Sequence, residues 1–216
     1  MDCAAPRVPV PEANRARSTG LTRVGSWQRA RRSIDRAAAE RAARDLLTAL
    51  GADLESEGLR ETPRRMADTY VELLNPEPFN LTTFPNDGGY DELVVVRDIP
   101  FQSLCMHHVL PFYGVAHVAY LPAERILGLS KLARVVELFA RDLQLQERLT
   151  TQIAGWLQDQ LQPKGVGVVL EAEHLCMSVA GVPKSSTQEC AGGVLHRWPP
   201  RRDRSHRFLA RSSQGL

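Results

Sequence analysis

The alternation of apolar and polar positions divides the chain into helix-like and strand-like stretches. Ser33 opens a segment dense in Ala, Glu, Arg and Leu that runs through Leu46 and Leu47 to Gly51. Ser33 is the expected N-cap, and Gly51 suits the left-handed position past a helix end. A second helix is expected from Thr62-Pro63, with Met66, Tyr70, Leu73 and Leu74 on one face and an end before Pro76. Residues 75–89, rich in Pro, Asn, Gly and Asp, read as a loop. The run Leu93-Val94-Val95-Val96 is too short and too β-branched for a helix, and 115–121 alternates around His117, so both predict strands. Ser130 is the expected cap of a helix carrying Leu132, Val135, Val136, Leu138 and Phe139. A further helix follows through Leu149, Ile153, Trp156, Leu157 and Leu161, closed by Pro163 and Gly165. Val166 to Leu170 is β-prone, 171–180 is expected to continue as paired strand, and 192–195 ends the last ordered piece. Helices, strands, helices and strands in that order predict an α+β fold: an antiparallel sheet with helices on one face, preceded by N-terminal helices.

Composition narrows the function classes. The chain has 216 residues, 43% hydrophobic and 24% charged, which suits one ordinary globular core. Nothing approaches the roughly 18 consecutive apolar residues of a membrane span, so no membrane association is expected. The start lacks the apolar core of a secretory signal, which predicts a cytoplasmic, thiol-reducing setting. Net charge is +2, yet residues 1–32 hold seven arginines against Asp2 and Glu12, and residues 196–216 hold six against Asp203. Each end therefore carries +5 and the body −8. A nucleic-acid groove would show its basic excess in the folded body, so no nucleic-acid partner is expected. The charge division also suggests a disordered Arg-rich tail over 1–32, a domain over 33–195 (helices 33–75, strand-bearing part 90–195), and a basic C-terminal tail over 196–216.

The chemistry concentrates at Cys105-Met106-His107-His108 and at Cys176. Two thiols and an imidazole are zinc-type donors, and three protein ligands leave a fourth tetrahedral position open, as in catalytic sites. A Cys-x-x-His pair taken alone also fits a buried thiol beside a hydrogen-bonded histidine. Arg64 and Arg65 stand in a helix's first turn, where the macrodipole disfavours cations. Lys131 and Arg134 are three apart near the start of another helix, sharing a face. The two clusters suggest a polyanionic ligand, against the commoner case of solvated surface cations. Gln146-Glu147 offers an amide beside a carboxylate, suited to a purine's donor edge or simply to a solvated turn. His174, two residues before Cys176, is expected on the same strand face, as a proton donor or a structural histidine.

The segments FQSLCMHHVLPFYG, LPAERILGLSKLARVVELFARDLQLQERLT, VGVVLEAEHLCM and ETPRRMADTY strongly resemble GTP cyclohydrolase I. The resemblance implies a tunnelling fold, a homodecamer of two stacked pentamers, and active sites at subunit interfaces. It implies Zn2+ held by Cys105, His108 and Cys176, and conversion of GTP to 7,8-dihydroneopterin triphosphate with release of C8 as formate, the first step of folate and pterin synthesis. It matches His107 and His174 to proton transfer, Glu147 to the guanine amino and N1 hydrogens, and Gln146 and Ser130 to polar substrate contacts. Arg65, Lys131 and Arg134 match the triphosphate side.

One departure stands out. The family usually has an arginine four residues after the last zinc cysteine, where this chain has Ala180. Losing a charge-assisted hydrogen bond of about 1.5–3 kcal/mol predicts roughly 10- to 150-fold weaker substrate stabilisation. Lys184 is near in sequence, but a point charge does not reproduce a planar fork. The segment after Gly181 is shorter than the family's, Met106 replaces a frequent acidic residue, and Pro199-Pro200 interrupts the usual closing helix. These changes motivate an alternative: an impaired or non-catalytic relative that serves as a binding or regulatory subunit or takes another purine triphosphate.

Overall fold

In the computed structural model residues 23–27, 33–179 and 189–196 are described, the first and last groups as backbone. Ala180, Lys184, residues 197–216 and most of 1–32 lie outside them. Within the expected N-terminal tail, Arg23–Trp27 forms strand β1. Its partner accounts for this: β2, Phe79–Pro85, offers a backbone edge with which β1 pairs antiparallel. Between them come helices α1, Arg36–Ala49, and α2, Thr62–Leu73. The cap of α1 is Asp35 rather than Ser33, its carboxylate accepting from the Ala38 N–H at 2.9 Å. Gly51 takes φ +84° just past the helix end, as expected. Thr62 is the first residue of α2 instead of its cap; Glu61 holds that place without a side-chain capping bond.

β2 corrects the loop expected over 75–89. Pro and Asn dominate the ends of that stretch, but Leu81 and Thr83 alternate inward and are fully buried. The pairing comes from distant chain: β5, Arg125–Leu127, flanks β2 on its other side, giving a three-stranded sheet β1-β2-β5.

A second sheet builds the core. Strands β3 (Val94–Cys105) and β4 (Pro111–Leu121) form a long hairpin, and β7 (Gly165–His174) pairs antiparallel with β4 from Leu121↔Gly165 to Phe112↔His174. β8, Glu189–His196, lies outside β7, and the two-residue β6, Leu143–Gln144, lies outside β3. β6 runs parallel to β3, so the sheet is antiparallel except at that edge. Helices α3, Leu129–Ala140, and α4, Gln146–Leu161, contribute apolar residues such as Val136, Ile153 and Leu157 to one cluster with Phe112, Val118 and Leu170 of the sheet. Gly128, not Ser130, is the N-cap of α3, and Ser130 sits exposed in its first turn.

The strand expected over 171–180 ends at His174. β4 begins at Pro111, and Phe112↔His174 is its last pairing with β7, so the chain beyond has no ladder to continue. It turns instead into a short helix, α5, Leu175–Val179. Cys176 and His174 therefore do not share a strand face.

Candidate metal centre and active site

Cys105 is the last residue of β3 and is 6% exposed. The chain after it folds back tightly: the Val109 N–H donates to the Cys105 carbonyl, and the Cys105 N–H donates to the Leu110 carbonyl, both at 2.8 Å. Closing this loop puts Val109 at φ +57°, a left-handed conformation costly for a β-branched residue. Two outside bonds hold the turn there. Met106 N–H donates to the Gln144 carbonyl at 3.0 Å, and the Tyr70 hydroxyl on α2 reaches the Val109 carbonyl at 3.4 Å. The reversal carries His108 over Cys105, Nδ1 to Sγ 3.8 Å.

α5 supplies the third donor. The Ser178 hydroxyl bonds both the His174 carbonyl, at 3.3 Å, and a Glu173 oxygen, at 3.4 Å, and the Tyr113 hydroxyl holds the other Glu173 oxygen at 3.2 Å. This clasp ties α5 to the sheet. The donor atoms of Cys105, His108 and Cys176 all lie within 4.8 Å of one another, a group able to hold a metal ion. Burial holds the Cys176 thiol above the ordinary cysteine range, and its hydrogen bond with Cys105 adds to that. The Cys176 thiol is thus a poor anion until a cation joins it.

Around this centre the other expected residues divide into two groups. His107 is exposed in the metal turn, its ring 6.2 Å from that of His108 and nearly perpendicular to it. His174 lies parallel to the fully buried Phe112, with ring centroids 4.6 Å apart and planes 2° apart. Gln146 and Glu147 open α4. Gln146 is buried rather than part of a solvated turn, with its amide bonded to His174 and Leu170, while Glu147 is exposed beside it. Sequence reasoning missed Phe112, Tyr113, Glu173 and Ser178. Alternation back from Tyr120 through Val118 and Ala116 would have placed Phe112 on the helix-covered face.

Of the expected cations, Lys131 is set back from this centre. α3 starts where the Gly128 N–H meets the Thr82 carbonyl of β2, and its far end leads into Asp142–Gln144, which bond the metal end of β3. Lys131 is nine residues before the end of α3 at Ala140, roughly 14 Å along the axis at ~1.5 Å per residue. Arg134 is exposed, bonded to Glu137 at 3.1 Å, and lines a cleft of about 530 Å³ with Gln102, Tyr113 and Arg141. Arg64 has local partners, as the surface-cation alternative expects. It bonds Glu61 at 2.8 Å and Asp68 at 3.4 Å, and holds the Glu61 carboxyl below its usual range. Arg65 stands exposed beside it.

Comparison with known proteins decides the family. Residues 39–211 match the model of GTP cyclohydrolase I. The chain belongs to the GTP cyclohydrolase I family. A protein named GTP cyclohydrolase 1 from Sulfurihydrogenibium sp. (strain YO3AOP1) is 53% identical over 156 residues, covering 71% of this chain and 83% of the relative. The protein of the same name from Aquifex aeolicus (strain VF5) is 51% identical over 150 residues, 69% and 82% of the two chains. That from Streptomyces griseus is 50% identical over 167 residues, 75% and 83%. Among solved structures, the apo form of archaeosine synthase QueF-Like matches with TM-score 0.39 at 15% identity, over 50% of this chain and 96% of that one, a likeness too slight to carry an argument. The α+β tunnelling fold expected of the family is the fold of this chain. Among the described residues no helix is long and apolar enough to cross a membrane.

Proposed function

We propose that this chain is a zinc-dependent GTP cyclohydrolase I, hydrolysing GTP to 7,8-dihydroneopterin triphosphate and formate in the cytoplasm, where its thiols stay reduced. The observation that carries the reading is the convergence of Cys105, His108 and Cys176 beside His174 in a chain of this family. The donors fit zinc: at Zn–S ~2.3 Å and Zn–N ~2.0–2.1 Å, tetrahedral ligands lie a little under 4 Å apart, close to the 3.8 Å between Cys105 and His108. When bound there, zinc supplies Lewis acidity that makes water a nucleophile near neutral pH.

The chain's own groups supply the rest. Exposed in the metal turn, His107 is placed to meet substrate, and His174 faces the same end of the sheet; in our reading the two exchange protons with the purine as its imidazole ring opens. The Glu147 carboxylate, an acceptor only, suits the N1–H and amino donors of guanine and repels the bare N1 of adenine. Ser130 adds a hydroxyl contact, and Arg65, Lys131 and Arg134 neutralise the triphosphate. Zinc-loaded protein incubated with GTP is expected to develop a pterin chromophore, whereas ATP is expected to give none; a chromophore from both would remove Glu147 from base selection, and none from GTP would overturn the activity.

A single copy keeps Lys131 away from the metal end, so the reading places the cations of a neighbouring copy over each metal. The sheet edges support this. Among the described residues β3 is paired on its outer side only at Leu104–Cys105, leaving a long edge of unpaired backbone, and β8 ends the sheet on the other side. Such edges invite another strand, as in a homodecamer.

Ala180 favours the second reading, an impaired or binding subunit. Restoring the fork by Ala180→Arg is expected to raise kcat/KM for GTP roughly 10- to 150-fold. An unchanged kcat/KM would mean that the family's arginine has been replaced in function.

A further inference from the structure

The Gln146 amide has a direction that chemistry dictates. Its nitrogen lies 3.1 Å from the Leu170 carbonyl oxygen, which only accepts, so that end is the donor. The amide oxygen is thereby turned to His174, whose Nε2 is 2.7 Å away. An amide oxygen also only accepts, so Nε2 bears the proton at that contact. Gln146 is 3% exposed and Leu170 fully buried, which keeps water from competing for the bond between them. The parallel stack on Phe112 fixes the remaining freedom, the plane of the ring.

We propose that Gln146 is a positioning residue for His174. It holds the ring with a proton on Nε2 and in the plane set by Phe112, the pose in which His174 meets the substrate. The catalytic half of this inference rests on the GTP cyclohydrolase reading; the tautomer half does not. A direct Gln146–substrate contact, which the resemblance implies, would use the amide's second N–H or lone pair and leave the bonds to Leu170 and His174 in place. The arrangement matches the way partners of metal-site histidines fix tautomer and orientation.

The test uses full-length, zinc-loaded protein with ¹⁵N-labelled histidine, read by NMR at about pH 8, above the ordinary histidine range. His174→Asn identifies the His174 signals. Wild type is expected to show a proton-bearing Nε2. Gln146→Glu keeps an accepting oxygen towards His174 while giving up the donor to Leu170, so Nε2 should stay proton-bearing. Gln146→Leu should give a mixture of both tautomers. In turnover of GTP, Gln146→Leu is expected to lower kcat about 10- to 100-fold with KM within about twofold, and Gln146→Glu to recover most of the loss. A bare Nε2 in wild type overturns the inference, as does Gln146→Leu with unaltered ring nitrogens. A rise in KM at constant kcat would make Gln146 a substrate contact instead. Should wild type fail to turn over GTP, the activity reading falls and the NMR arm alone decides the tautomer.

Discussion

Cys176→Ala is expected to leave a folded protein that binds no stoichiometric zinc and releases formate from GTP about 10³-fold more slowly, or not at all. Metal Lewis acidity contributes several kcal/mol of transition-state stabilisation, and each 1.36 kcal/mol is tenfold in rate. Cys176 sits half-buried on the five-residue α5, where a smaller side chain disturbs little of the main core. Metal analysis of the purified variant beside a formate assay checks both halves. His107→Ala provides the contrast, since it removes a proton carrier while leaving all three ligand positions, and is expected to slow turnover about 10²- to 10⁴-fold with zinc still bound. A Cys176→Ala protein that keeps its zinc and its rate would remove this cysteine from the metal centre.

The second large effect is on folding. Gly114 stands opposite Ala172 in the β4–β7 ladder, two residues from the Phe112–His174 pair. A Cβ at Gly114 would lie 1.8 Å from the Glu171 carbonyl oxygen and 2.7 Å from the Ala172 Cα. Both obstacles are backbone, so no rotamer change relieves them; the strands themselves must separate. Gly114→Ala is therefore expected to cost about 4 kcal/mol or more, a large share of the ~5–15 kcal/mol that holds a typical domain together. Urea unfolding followed by tryptophan fluorescence should show a midpoint lowered by more than about 1 M, or no folded baseline, for m of ~1–3 kcal/mol per M. A midpoint equal to wild type would mean that β4 and β7 do not approach as described.

The legible part of the structure was the part set by short-range pattern. α2 and α4 announced themselves through apolar spacing and α1 through helix-forming residues, and Cys105, His108 and Cys176 stood out as zinc-type donors although the Cys105–His108 pair alone also fitted a buried thiol beside a histidine. Elements whose limits depend on a distant partner were not legible. β2 needs β1 and β5 to become a strand, which its Pro- and Asn-flanked sequence does not reveal. The end of β7 is set by where β4 begins, so nothing local showed that Cys176 would stand on a helix. Gln146 looked like a surface residue because its burial arises from packing against β7. Likewise the residue types of Lys131 and Arg134 signalled an anion, while the setback of Lys131 along α3 is a property of the folded chain. Arg64, for which a surface role and an anion-binding role were both open, has its partners Glu61 and Asp68 three and four residues away.

The central claim is that Cys105, His108 and Cys176 hold a zinc at which the C8 carbon of GTP is excised. GTP carrying ¹³C at C8, incubated with metal-free and then zinc-restored protein, follows that atom directly. The account predicts one labelled formate per GTP consumed, with no label in the pterin, and no reaction until zinc is restored. Labelled formate from the metal-free protein, or consumption of GTP with the label retained in the product, would contradict it.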